Sequence, residues 1–168
     1  MARLLRPEGI FYANFGPVWS APDGAHVEGL EFGGKVLDFW EYCLLPSWAH
    51  LVCDSVAELR NMLAPIHGAD LAASLADYVF KSRWINRTPA DGFRRLAEGA
   101  DFEVLFFGGN PQFGYEYDPP RAHGRLATRC APGAILTEAR RRNPEIVDDL
   151  ATRDIEFLLR KRQLSCTC

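Results

Sequence analysis

Three short apolar runs, separated by polar and Gly/Pro-rich stretches, organise the chain. Ile10-Phe11-Tyr12-Ala13-Asn14-Phe15 is nearly all apolar. It predicts a strand covered on both faces, as in a parallel sheet. Residues 102–107 (Phe-Glu-Val-Leu-Phe-Phe) and 155–160 (Ile-Glu-Phe-Leu-Leu-Arg) predict two further strands. These last two lie about 50 residues apart, and an antiparallel pairing at a sheet edge suits a mixed sheet.

The stretches between them carry helical signals. Pro7 and Gly9 mark the end of an N-terminal helix. Residues 36–45 are apolar and aromatic and predict a short helix ended by Pro46. Asp54 or Ser55 can cap a helix, with Glu58 reaching back in a capping box, and Pro65 is expected to stop it. Leu71, Leu75, Tyr78 and Val79 form an i, i+4, i+7, i+8 stripe over residues 69–80. Thr88-Pro89-Ala90-Asp91 predicts a helix start with Pro89 at the first helical position. That helix runs through Phe93, Leu96 and Ala97 to Gly99. Residues 134–142 predict another, ended by Asn143-Pro144, and residues 146–150 a helical turn. Two long loops remain, at 18–34 and 112–124. Loops of such length in a compact domain are often functional.

Composition narrows the class. The 168 residues are 48% hydrophobic and 12% aromatic, enough for one domain with a core. The expected domain is residues 1–162, with a flexible tail at 163–168. Nineteen basic and 22 acidic residues give a net charge of -3, so no long-range positive field attracts nucleic acid. No apolar run approaches the roughly 20 residues of a membrane span. Residues 1–9 lack a signal peptide's apolar stretch and cleavage site. These features predict a cytoplasmic protein without nucleic-acid or membrane partners, whose five cysteines are thiols.

The order of helix end, strand, loop, helices, strand, helix and strand resembles the C-terminal half of class I S-adenosylmethionine-dependent methyltransferases. In that family a seven-stranded sheet ends with a parallel strand, a helix and an antiparallel pair. Leu5-Arg6-Pro7-Glu8-Gly9 is similar to the family's L-K-P-G-G turn, with Glu8 in place of the first glycine. Residues 150–161 (LATRDIEFLLRK) resemble its closing strand. Three patches are similar to an uncharacterised branch of the family. They are Phe15-Gly16-Pro17-Val18-Trp19-Ser20 with Gly24 and His26; Pro46-Ser47-Trp48-Ala49-His50-Leu51; and Trp84-Ile85-Asn86-Arg87-Thr88. The resemblance implies an α/β, partial Rossmann-like fold with S-adenosylmethionine as methyl donor. It also implies that the donor-binding half is missing. A Gly-rich turn after the first strand and an acidic residue after the second would hold the donor, and both would precede Met1. Gly33-Gly34 and Gly108-Gly109 lack the spacing to replace them.

Six residues are candidates for an acceptor site. His26 lies in the loop after the strand at 10–15, at the strand end where ligands bind in open α/β sheets. It would act as a general base on the acceptor, or be a solvated loop residue. His50, beside Trp48, would face the acceptor, or be a hydrogen-bonded histidine in an apolar patch. Trp19 and Trp48 would wall the pocket or fill the core. Arg87 would clamp an acceptor carboxylate, with Asn86 beside it or satisfying backbone groups. Tyr115, Glu116 and Tyr117 would contribute to a lid or a plain surface loop. His26, Cys43, His50 and Cys53 mix zinc-ligand types, but their spacing fits poorly and buried inert thiols are the ordinary alternative. Cys166 and Cys168 end the tail.

Two functions from different classes follow. The first is the acceptor-side half of a methyltransferase acting on a small molecule or metabolite, inactive alone or dependent on a complementing subunit. The second is a non-catalytic module that dimerises or pairs through the exposed edge of the strand at 10–15. A metal-dependent hydrolase built on the histidines and cysteines is a third.

Overall fold

A computed structural model describes residues 2–39, 41, 44–110, 132–146, 150 and 152–163. Tyr115, Glu116, Tyr117, Cys43, Cys166 and Cys168 lie outside the described residues. Among those described, the chain is a mixed α/β protein with five α-helices and two small antiparallel sheets. The strands are β1 (Ile10–Phe15), β2 (Leu30–Phe32), β3 (Lys35–Leu37), β4 (Phe102–Asn110) and β5 (Asp154–Lys161). The helices are α1 (Ala49–Val52), α2 (Val56–His67), α3 (Ala69–Lys81), α4 (Ala90–Glu98) and α5 (Pro132–Arg142).

The larger sheet has the order β1-β5-β4, antiparallel throughout. β5 alternates strictly: Ile155, Phe157 and Leu159 are buried while their neighbours are half-buried. Period-2 alternation places the three buried side chains on one face, and there Phe11, Phe102, Phe107 and Phe157 pack ring to ring. α4 closes this core through Ala90, Phe93 and Ala97. At Leu105 the β4–β5 register shifts, a bulge that leaves Leu105 and Phe106 both exposed.

β1 corrects the expectation of a parallel strand covered on both faces. It runs antiparallel to β5 at the sheet edge, and Phe11, Ala13 and the half-covered Phe15 turn inward, Phe15 against Phe93 and Phe157. Tyr12 remains 56% exposed, in one row with Leu158 and Phe106, which is 50% exposed. The apolar run therefore reflects two apolar faces, of which the described residues cover one.

The second core lies under the helices. Leu59 and Leu63 of α2 face Leu75 and Val79 of α3, with Trp48, Leu51 and Ala139 around them. The Ser55 hydroxyl accepts from the Glu58 amide at 3.2 Å, while the Glu58 carboxylate accepts from the Asp54 amide at 2.8 Å. This is the expected capping box with the return bond shifted by one residue. α2 runs past Pro65 to His67, because packing against α3 outweighs the loss of one hydrogen bond in the final turn.

Residues 36–45 do not start as a helix. Gly33 and Gly34, with φ of 57° and 74°, form the two-residue turn that joins β2 to β3. Pro89 is the residue before α4 rather than its first. β4 continues through Gly108-Gly109, where a break was expected, and stays paired to Asn110.

Candidate functional site

The segment after β1 is pinned at several points. The Val18 amide donates to Arg153 O at 2.9 Å, and the Trp19 amide to Thr88 O at 3.2 Å. The Trp48 amide donates to Pro22 O at 2.8 Å. Gly24 packs so closely under Val18 and Trp19 that a Cβ would lie 2.6 Å from Val18 O, so a larger residue would displace the loop. These contacts bring residues 22–27 against residues 44–50.

A small cleft with a cavity volume of about 40 Å³, open to solvent, lies between the two segments. His26 and His50 both line it, with Asp23, Phe39, Leu44 and Leu45. Residues 22–27 belong to the loop between β1 and β2.

The two histidines have different roles. His50 is 3% exposed, and its Nε2 lies 2.7 Å from Trp19 O. A carbonyl only accepts, so Nε2 carries the proton and donates. The indole of Trp19 meets the His50 ring edge-on at 4.4 Å. Burial pushes the His50 pKa down to about 4, so the ring is neutral at pH 7. His26 is half-buried, and its Nδ1 donates to Gly24 O at 2.7 Å. That bond leaves the lone pair of the neutral ring on Nε2. His50 is thus a neutral tie between α1 and the loop.

His50 makes stability depend on pH. In the unfolded chain the ring takes up a proton at its ordinary 6.5; folded, it does so only near 4. Its contribution is complete above pH 6.5 and declines as pH falls towards 4, by roughly 3 kcal/mol over that window. Proton NMR should show no titration of the His50 ring above about pH 5. His50→Gln should flatten the slope of unfolding free energy between 4 and 6.5.

The other expected site residues take structural positions. Trp48 is buried, and its indole N–H donates to Leu150 O at 2.9 Å. Trp19 is buried between His50 and Arg87, whose guanidinium lies 5.9 Å from the indole centre. Arg87 donates to Val79 O at 2.7 Å and to Ser82 O at 3.1 Å, closing the C-terminus of α3. The Asn86 carbonyl accepts from the Thr88 amide at 3.1 Å, a turn just before α4. Neither Asn86 nor Arg87 lines the cleft with the histidines. Cys53 is buried, which pushes its thiol up to about 11. Among the described residues, no group of three His, Cys, Asp or Glu is placed to hold a metal ion.

A buried ion cluster behind the cleft had no expectation. Arg153 Nε lies 2.9 Å from Asp23 Oδ2, and its second nitrogen 2.8 Å from Asp154 Oδ1. The side chains are 4%, 10% and 14% exposed for Arg153, Asp23 and Asp154. Burial raises the Asp23 pKa, and the neighbouring Arg153 only partly offsets it. Burial likewise opposes charge on Arg153, but its two carboxylates outweigh that and hold it charged. The pair thus favours the arginine's charge more than the aspartate's. Pro22-Asp23-Gly24 signals a turn, but nothing local joins it to a residue 130 positions away.

The described residues do not fit a methyl-donor site. Such a site needs glycines between a strand and a helix, where backbone amides approach the ligand, and a carboxylate for its ribose. Gly33-Gly34 is a hairpin turn. Gly108-Gly109 lies within paired β4, with Cβ positions blocked by the Phe106 ring and the Thr152 side chain.

No protein-family model, curated protein or solved structure matches the chain. Among the described residues, no helix is long and apolar enough to cross a membrane.

Proposed function

We propose that this chain is the acceptor-side half of a class I S-adenosylmethionine-dependent methyltransferase. The observation that carries it is the cleft beside the loop after β1, which His26 and His50 both line and where the His26 Nδ1 bond to Gly24 O leaves Nε2 as the acceptor of the neutral ring. The partial Rossmann-like reading draws support from the strand directions. β1 and β4 point the same way, β5 runs against both, and the last two strands form an antiparallel pair.

In this role the chain binds and orients the acceptor, with Phe39, Leu44 and Leu45 forming an apolar wall beside it. His26 Nε2 takes the proton that the acceptor's nucleophilic atom gives up. His50 keeps the loop in place through Trp19 O. S-adenosylmethionine would supply the methyl group, held by residues other than those described. The purified 168-residue chain is therefore expected to give no saturable heat when titrated with S-adenosylmethionine. Micromolar binding would place the donor on this chain and overturn the division.

A second reading is favoured by the uncovered outer face. Ile10, Tyr12 and Phe106 are exposed, and among the described residues one edge of β1 has no strand beside it. A non-catalytic module would pair there with a second copy or a complementing subunit. Light scattering after size exclusion is expected to show self-association that Tyr12→Lys disrupts. A clean monomer at high concentration would count against pairing between copies.

A further inference from the structure

Arg153 grips the loop between β1 and β2 at two places, and His26 hangs from the second of them. We infer that Arg153 is a positioning residue of the cleft: acting through Asp23, it fixes the turn that carries His26, and with it the nitrogen that bears the ring's proton. The inference rests on the acceptor-site reading for what the ring does, but not for how the ring is held.

At the first place the Arg153 carbonyl accepts the Val18 amide at 2.9 Å. At the second its Nε donates to Asp23 Oδ2, also at 2.9 Å. Asp23 serves the histidine directly, because its carbonyl accepts the His26 amide at 2.8 Å. The next carbonyl, Gly24 O, accepts from His26 Nδ1 at 2.7 Å. The links thus run from the residue before β5 to the imidazole: guanidinium to carboxylate, then one carbonyl to the amide and the next to the ring. The guanidinium is itself oriented, since another of its nitrogens donates to Asp154 Oδ1 at 2.8 Å. A side chain at Gly16 would collide with that carboxylate, so the glycine leaves room for it.

Stability does not explain the pair. Burial raises the Asp23 pKa, and Arg153 offsets this only in part. An aspartate whose pKa rises on folding weakens the fold where it is ionised. Buried ion pairs are often no more stabilising than apolar side chains of the same volume. What the arginine supplies is direction, because its planar fork sets both the distance and the angle of the carboxylate. The ring needs that direction. Which nitrogen of a neutral imidazole bears the proton is set by the bonds the ring makes. With Gly24 O held against Nδ1, Nε2 is the acceptor.

The test reads the histidine rings of the purified, isotope-labelled chain by nitrogen NMR at about pH 8.5, where histidine is ordinarily neutral. Wild-type His26 is expected to carry its proton on Nδ1 and His50 on Nε2; a His26 proton on Nε2 overturns the inference. Asp23→Asn keeps the shape and removes the charge, and the Trp48 amide still holds Pro22 O. That variant is expected to lower the His26 ratio of Nδ1–H to Nε2–H by about fivefold or more, the scale of one hydrogen bond. His50 is bonded to Trp19 O and is expected to keep its tautomer, which a general loosening of the fold would not allow. Arg153→Lys, with the charge but not the fork, is expected to fall between, and it decides if Asp23→Asn does not fold. An unchanged His26 ratio in a folded variant, or a matching change in His50, overturns the inference. So does failure of both variants to fold, since the pair would then hold the fold rather than the ring. A His26 ring that follows the pair while methyl transfer ignores His26→Gln keeps this inference and removes the acceptor-site reading. Methyl transfer that needs His26 while its ring ignores the pair does the reverse.

Discussion

Trp48→Ala is expected to destabilise the chain by about 4 kcal/mol, within the range for removing a buried aromatic ring from a core. Trp48 is buried among Leu51, Leu59 and Leu63 of the helical core. Its indole N–H also donates to Leu150 O across 102 residues of sequence. Alanine leaves a cavity the size of an indole and strips Leu150 O of that donor, which adds about 1 kcal/mol. Trp48 further holds φ at 57° before α1 and takes the amides of Leu51 and Val52 on its carbonyl. Domains of this size are stable by roughly 5–15 kcal/mol in total, so a large share would be lost. Urea unfolding is the measurement, read as a lower midpoint at unchanged slope. Trp84→Ala is the control. That indole is 86% exposed, and its loss is expected to change stability by less than about 0.5 kcal/mol.

His26→Gln is expected to lower methyl transfer by a factor on the order of 100 or more, the scale of general-base catalysis, with little change in melting temperature. Glutamine retains a donor for Gly24 O but cannot take a proton near neutral pH. His26 is half-buried and contributes little to either core. The loss should appear in kcat with KM nearly unchanged, as expected for an interaction made only in the transition state. His50→Gln separates the roles. It removes a buried ring bonded to Trp19 O, so its main cost should be stability. Equal turnover for His26→Gln and wild type would remove His26 as the base.

The three strands of the main sheet were legible because each is a compact run of β-branched, aromatic and apolar residues. β5 alternates cleanly in burial, although Leu158 interrupts that alternation in the sequence. What β1 could not reveal is its partner. An apolar run records how apolar the two faces are, not the direction of the neighbouring strand. The Gly33-Gly34 turn had a legible signal, two glycines between apolar runs, yet the aromatic content of residues 36–45 suggested a helix. His26 and His50 were identifiable as chemistry-bearing residues in separate patches. Their meeting in one cleft depends on tertiary bonds such as Trp48 N–H to Pro22 O. Arg87 read as a free cation because no sequence pattern announces a side chain that caps a helix behind it. The Asp23–Arg153 pair was hidden for a similar reason: charge pairing over 130 residues is a property of the fold alone.

Most directly, the account is tested by methyl transfer in an extract of the source organism from which this gene has been deleted. The extract is supplied with S-adenosylmethionine carrying a labelled methyl group, with and without the purified chain. Restored transfer of label to a small molecule when the folded chain is added, and its loss with His26→Gln, is the predicted result. Unchanged transfer after addition of the folded wild-type chain would contradict the assignment of this domain to methyl transfer.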